Sequence, residues 1–381
     1  LRTSVMRTIS TLVLCATVAT SAAAQGTISS QGFGYPAGGL STRAEALGGS
    51  NAEGDPLSPV NPASLNSWGR PGLYFQYDPE FRSVQANGNS DHTLTARFPM
   101  IEGALNIGQR FTFGVSSTTF LDRTDEITQT GYVHDPGGDS TLYGQSFSAD
   151  GAINDFRAAF AFALLPTLSI GVAGHVLAGQ NQLSVTRGLA DTNTAIFSQK
   201  STLAYNGHSF SGGIAWRPLP TFSIAASGDV GGTMHSTRND TTLSSARVPK
   251  RFGFGALFGG VSGLLLSANA EWTGWSAMNG LAESDIKAID GWDYGVGAEV
   301  RAPSLFGQEL PVRIGYRHRV LPFQANEQDV HETDYSFGFG IPISRARSRI
   351  DLSLIRSNRS ANVADVSEHA WIMSFGFFVR P

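Results

Sequence analysis

From Gly72 onward, hydrophobic and polar positions alternate with a period of two. Phe111, Phe113 and Val115 interleave with Thr112, Gly114 and Ser116; Phe252, Phe254, Ala256 and Phe258 interleave with Arg251, Gly253, Gly255 and Leu257. Near the end Tyr335, Phe337, Phe339 and Ile341 share one parity, and Asp334, Ser336, Gly338 and Gly340 the other. Successive side chains of a strand point to opposite faces, so one face is aromatic and aliphatic and the other small or polar. Turn signals divide this part of the chain into fourteen strands: 72–84, 91–101, 110–127, 151–165, 168–186, 201–216, 222–237, 248–258, 263–273, 291–301, 310–320, 331–343, 348–358 and 369–379. The connections 165–167, 217–220 and 344–347 are tight, whereas 131–150, 187–200, 274–290 and 322–330 are long and polar.

An even number of strands, with short turns at one end and long loops at the other, predicts a closed antiparallel transmembrane barrel. A soluble sandwich or propeller also alternates. Its strands run to about 5–6 residues, whereas many here exceed ten. Beyond the first residues no stretch is long and apolar enough for a spanning helix; a barrel needs none, because its ladders satisfy the backbone laterally. Trp272, Trp275, Trp292 and Trp371 fall near strand ends, where interfacial aromatic girdles lie.

Residues 1–24 read as an export signal: Arg7, an apolar run from Leu12 to Ala19, and Ala22-Ala23-Ala24 before Gln25. The one cysteine, Cys15, lies inside it, behind a Leu14 too large for a lipoprotein cleavage site. Removal of Arg2 and Arg7 with this segment takes the net charge from -4 to -6. Only 15% of residues are charged and 44 are glycine, and no Lys/Arg cluster offsets the acidic balance, so nucleic acid is excluded as a partner. No HExxH, GxSxG or Walker pattern appears, and His175 with Ser169 or Ser184 is a weak basis for a hydrolase; the reading is no enzyme and no cofactor.

Residues 25–71 do not alternate. The stretch RAEALGG, from Arg43, suits one short helical turn stopped by glycine, and DPLSPVNPASL, from Asp55, suits consecutive turns with Asn61-Pro62 initiating one. Such backbone is a mobile arm or a hatch inside the lumen, the one place irregular chain is tolerated at membrane depth.

Together RAEALGGSNAEGDPLSPVNPASL with its Asn61, Pro62 and Ala63, VPKRFGFG at 248–255, NAEWTGWS at 269–276 and RIGY at 313–316 resemble the FadL/TodX-type outer-membrane transporters, with features of the related PorV-type barrels in the N-terminal part. The resemblance implies a fourteen-stranded barrel (72–381) plugged by a hatch (25–71) whose candidate apolar contacts are Leu47 and Leu65. It also implies uptake of long-chain fatty acids or hydrocarbons, which pass through the lumen and leave sideways at a kinked strand. Ser64, where many transporters have glycine, and the FGFFVRP ending depart from the pattern. The alternative is a PorV-like docking or shuttle role in protein secretion; a general porin is disfavoured by the hatch. The expected surroundings are outer-membrane lipid and lipopolysaccharide, with a monomer as the simplest state.

By parity Arg313, Arg317 and Arg319 face inward with Asp293, Glu299, Glu332 and Asp334. They serve either as cross-strand ion pairs or as a clamp on a ligand carboxylate. Leu257, Leu265 and Phe378 are the inward apolar candidates for the ligand wall. Gly114 is a candidate for the strand kink, or simply makes room for the hatch.

Overall fold

The computed structural model describes residues 34–86, 89–134, 140–189, 197–281, 287–301, 310–325, 328–343, 348–361 and 366–380. The export segment lies outside them. Seventeen strands form one antiparallel sheet: β1 (Gly72–Ala86), β2 (Asn89–Ile107), β3 (Phe111–Asp122), β4 (Asp125–His134), β5 (Ser140–Leu165), β6 (Leu168–Leu189), β7 (Phe197–Leu219), β8 (Phe222–Gly231), β9 (Thr233–Arg238), β10 (Thr241–Arg247), β11 (Arg251–Val261), β12 (Leu264–Thr273), β13 (Gly291–Arg301), β14 (Pro311–Ala325), β15 (Gln328–Ile343), β16 (Ser348–Ala361) and β17 (Val366–Val379). β1 pairs with both β2 and β17, which closes the barrel. β3 and β4 both lie along β5, β8 and β9 both along β7, and β10 with β11 along β9 and β8. Each of these pairs is one broken stave, so the barrel has the fourteen staves expected.

The inward-outward alternation follows the sequence pattern. Phe111, Val115, Phe252, Phe254, Tyr335 and Phe337 are exposed, and Thr112, Ser116, Asp334 and Ser336 are buried. An exposed belt of this kind is stable only against lipid, where it costs nothing.

The long connections are not loops throughout. β5, β6 and β7 run for 26, 22 and 23 residues, so 131–134, 140–150, 187–189 and 197–200 are ladder rather than coil. A tilted strand crosses a bilayer in about 9–11 residues. These staves therefore continue past the membrane as a paired wall, which keeps their backbone satisfied in water. The turns at 166–167 and 220–221 are as tight as expected; 344–347 lies outside the described residues.

Residues 34–68 are packed inside the barrel, and 69–71 are exposed as the chain leads into β1. Helix α1 (Thr42–Ala46) starts at Ser41, whose side chain accepts from the Ala44 N–H, and ends at Gly48 and Gly49, both at positive φ. A 3₁₀ segment, Pro62–Trp68, is capped by Asn61, whose side chain accepts from the Ala63 N–H. Paired wall glycines let this chain lie directly on the strands. Gly171 and Gly213 are opposite each other on β6 and β7, and side chains there would collide with Pro62 and Asn61. Gly297 and Gly315, opposite on β13 and β14, do the same for Leu47 and Gly48. Much of the glycine content is thus the imprint of the hatch on its wall.

Two expectations are corrected. Gly114 does not kink its strand: β2, β3 and β5 stay in register through Ala104, Gly114 and Ala159, and a Cβ at 114 would press on Leu65. The irregularity comes later, between Thr119 and Leu121, followed by the break after Asp122. Trp275 does not join a girdle; it opens a 3₁₀ segment, Trp275–Leu281, and is buried. Trp272, Trp292 and Trp371 do lie on the outward parity, the last two exposed.

Candidate functional site

The lumen is lined by strand residues whose charges are matched across the ladder. Arg313 donates to Glu299 at 2.7 Å and to Asp351 at 2.7 Å; Arg317 pairs with Asp293. Arg319 binds Glu332 at 2.5 Å and donates to the Tyr35 hydroxyl. Each of the three arginines faces inward, as parity predicts, and each already carries a carboxylate. The arrangement is the ion-pair network, not an open clamp for a ligand carboxylate.

The network is densest around Tyr35, the first well-buried hatch side chain. The guanidinium carbons of Arg97, Arg319 and Arg359 lie 5.2, 4.9 and 4.5 Å from its ring centroid. Glu80, Glu332, Glu368 and Asp122 neutralise these cations: Arg359 reaches Glu80 at 2.7 Å, Glu368 at 2.6 Å and Glu332 at 2.5 Å, and Arg97 reaches Asp122 at 2.5 Å and also Glu80. Burial pushes the Tyr35 phenol up to about 12, against the pull of Arg319 and Arg359. Burial likewise raises the hatch carboxyl of Glu45 well above the usual carboxylate range, with Asp78 adding to it.

The hatch body is fastened by Asn61. Its side-chain N–H group donates to the Glu53, Ile214 and Ala226 carbonyls at 3.1, 3.1 and 3.3 Å. Pro62, Ala63 and Leu65 follow in the buried 3₁₀ segment, and Leu47 is fully buried after α1. Glu53 pairs with Arg251 at 2.9 Å, which also donates to the Val60 carbonyl. Of the apolar candidates, Phe378 packs edge-on against hatch Trp68 (5.1 Å between centroids), Leu257 lies beside hatch Gly54, and Leu265 is half-buried near Gly259. The first two hold the hatch, and the three do not form one ligand wall.

Among the described residues, cavities of mixed polar and apolar lining border the hatch. One of about 180 Å³ is walled by Pro36, Leu40, Phe120, His175, Arg251 and Trp275, among others; a smaller one of about 60 Å³ lies between Tyr35, Leu40, Glu45, Asp78, Asp334 and Ile372. Against the larger cavity, and sharing Leu177, Val248 and Trp275 with its wall, is an apolar cluster: Leu121, Ile153, Leu177, Tyr205 and Met234 from the strands and Val248 from the connection after β10, capped by Trp275 and Met278. Sequence reading looked for such residues in the loops. They are instead buried positions on β3, β5, β6, β7 and β9, joined by Val248 from the connection after β10.

His175 sits between Asp155 (Nδ1 to Oδ2, 2.8 Å) and Ser211 (Nε2 to Oγ, 2.8 Å), not beside Ser169 or Ser184. This is a polar chain across β5, β6 and β7. A hydrolase would need N–H donors aimed at an oxyanion near Ser211, and strand N–H groups there are spent in the ladders. Among the described residues no group of three or more His, Cys, Asp or Glu is placed to hold a metal ion.

One side of the wall is incomplete. The β2–β3 ladder ends at Met100↔Thr118, although β2 begins at Asn89 and β3 continues to Asp122. Hatch residues 34–38 lie there instead. Tyr35 and Asp122 exchange two backbone hydrogen bonds, 2.7 Å from the Tyr35 N–H and 2.8 Å from the Asp122 N–H, and Gly38 touches the Thr119 backbone.

The fourteen-stave barrel matches known structures. The chain has the fold of the FadL and TodX channels. A Pseudomonas aeruginosa FadL homologue superposes at TM-score 0.60 with 13% identity, covering 91% of this chain and 99% of that one. The Ralstonia pickettii toluene transporter TbuX gives 0.58 and 14%, over 90% and 99%; the Pseudomonas putida toluene transporter TodX gives 0.56 and 12%, over 90% and 98%. No protein-family model and no curated protein matches the sequence.

Proposed function

We propose that this protein is an outer-membrane channel for passive uptake of hydrophobic small molecules. They are captured under the Trp275–Leu281 cap, move past the hatch and leave sideways between β2 and β3. The observation that carries this is the ladder ending at Met100↔Thr118 with a hatch strap in the vacated place. Backbone hydrogen bonds there are supplied by the hatch through Tyr35 rather than by a neighbouring stave. The apolar cluster under Trp275 supplies an entrance that favours hydrophobes over ions. The likeness to TodX and TbuX, toluene transporters, supports aromatic hydrocarbons as one class; long-chain fatty acids are the other. Outer-membrane phospholipid and lipopolysaccharide surround the apolar belt.

The test is uptake of radiolabelled toluene and oleate by cells lacking the protein, and by the same cells re-expressing it. Restored uptake of either supports the reading. Unchanged uptake together with loss of exported surface proteins overturns it in favour of a docking role in secretion.

A further inference from the structure

The outer surface carries a cationic rim on one side of the barrel. β8 and β11 are 10 and 11 residues long, and one membrane crossing takes about 9–11, so the chain just after Gly231 and just before Arg251 stands at headgroup level, at the long-loop end. Four exposed side chains lie there: His208 on β7, His235 on β9, Arg247 at the end of β10 and Lys250 just before β11. All are on the outward parity. Met234 and Ser236 are buried, which turns His235 outward; Arg247 is opposite exposed Thr233, and Lys250 shares the parity of exposed Phe252. Gly232 makes room for the set, since a side chain on it would collide with the His208 ring. Among the described residues none of the four has a carboxylate partner. Asp229 and Glu271, on the same staves or the next, turn inward onto Arg251; Asp290 accepts from the Ser276 N–H, and Asp240 is in the turn beyond β9. Directly below the rim Phe210, Val230 and Phe252 are more than half exposed, at 66%, 57% and 53%.

We propose that this rim binds the phosphate groups of lipopolysaccharide, with the lipid A acyl chains lying along the apolar surface below it. A phosphate monoester accepts two parallel hydrogen bonds from a guanidinium and pairs with an ammonium as a point charge, and the imidazole N–H groups add further donors. Cations without partners, set above an apolar wall, match a molecule that joins an anionic head to several chains. A free phosphate would gain nothing from that wall. The rim is at the long-loop end, the side of the leaflet built from lipopolysaccharide, which selects lipid A over a phospholipid. The chain as a whole carries a net charge of -4, so the attraction is local to these staves and not a property of the entire surface. The site is independent of what the lumen carries and depends only on the barrel's place in the outer membrane.

The experiment is native mass spectrometry of the full chain, purified in detergent and stripped of lipid. The separate probes are lipid A, lipid A with its phosphates removed, phosphatidylglycerol and inorganic phosphate. Lipid A should be retained at a fixed stoichiometry and at least tenfold more tightly than the dephosphorylated form or phosphatidylglycerol, and inorganic phosphate should neither be retained nor displace it. Arg247→Gln combined with Lys250→Gln should weaken retention at least fivefold, and Arg247→Lys alone should weaken it less. Arg301→Gln, at an exposed arginine of the short-turn end, should leave it unchanged. Equal retention of the dephosphorylated lipid overturns the proposal, as does equal retention of phosphatidylglycerol, which would mean a surface for any anionic lipid. Displacement by inorganic phosphate would mean a free-anion site, and an equal loss in Arg301→Gln a general charge effect; either overturns it too. Folding is read by heat-shift electrophoresis. Where the double variant fails to fold, Lys250→Gln, outside the ladder, should still weaken retention, and unchanged affinity in a folded variant sinks the site.

Discussion

Asn61 stands directly over Gly213: a side chain on that glycine would occupy the position of the Asn61 carboxamide oxygen. The carboxamide then reaches past the glycine to two carbonyls of the wall, Ile214 on β7 and Ala226 on β8. The hatch is thereby held by a pair of residues more than 150 positions apart, one chosen for its donors and the other for having no side chain. Gly213→Val should displace the hatch body while the barrel still assembles. Planar-bilayer recordings should then show a raised ion conductance, with the heat-shift of the barrel on electrophoresis retained. Asn61→Ala, which loses the same contacts without a clash, should give the same change in smaller degree.

Leu65 and Gly114 form a second such contact. Gly114→Ala overpacks it, at a cost of about 1–3 kcal/mol, and Leu65→Ala leaves a cavity, at about 2–5 kcal/mol. The double variant should be more stable than the sum of the two losses implies, because the added methyl enters the space the leucine leaves. Urea unfolding from lipid vesicles measures all three.

Arg313 is 1% exposed and holds two carboxylates. Arg313→Gln leaves Glu299 with Arg43 and Asp351 with Arg349, so neither carboxylate is stranded and the loss should stay below the about 3–5 kcal/mol of breaking an isolated buried pair. Adding Arg349→Gln removes the second cation from Asp351, which is 1% exposed, and the same unfolding series should show a loss larger than the sum of the two single variants. Oleate uptake per folded molecule should be unchanged in both, since neither guanidinium is free to take the ligand.

Tyr35→Gly removes the ring that Arg97, Arg319 and Arg359 surround, and with it the anchor of the strap. Toluene uptake should rise, and so should sensitivity to bulky hydrophobic antibiotics. Trp275→Ala should act in the opposite sense by stripping the cap from the apolar cluster, raising the half-saturating toluene concentration severalfold. Unchanged uptake kinetics in both variants would argue against a route running from cap to gap.

The staves were legible because period two is a local property: Phe252, Phe254 and Phe258 declare their side of the wall without reference to any other strand. The hatch was legible through Asn61-Pro62-Ala63 and the glycines after α1, again local signals. Partner choice was not. Parity places Arg317 and Asp293 on the same inner surface, but their pairing depends on the register of β13 against β14, a relation among strands that no single stretch encodes. Gly114 shows the same limit, since only the seat of Leu65 on β3 distinguishes a glycine needed for space from one needed for a bend. Trp275 resembled a girdle residue because its distance from a strand end is visible in sequence and its inward fold over Phe120 is not (5.5 Å between centroids).

The hatch body and the hatch strap are secured on different terms. Asn61, Glu53 and the glycine seats at 171, 213, 297 and 315 bind the body to six staves at once, so its departure would uncover a broad wall of wetted main chain. The strap meets β3 through one backbone pair, between Tyr35 and Asp122. On the proposed route a plug built this way would open as a seam rather than as a stopper: the pore would stay shut to water while a slit of wall, about the length of the missing ladder, became a door onto the membrane.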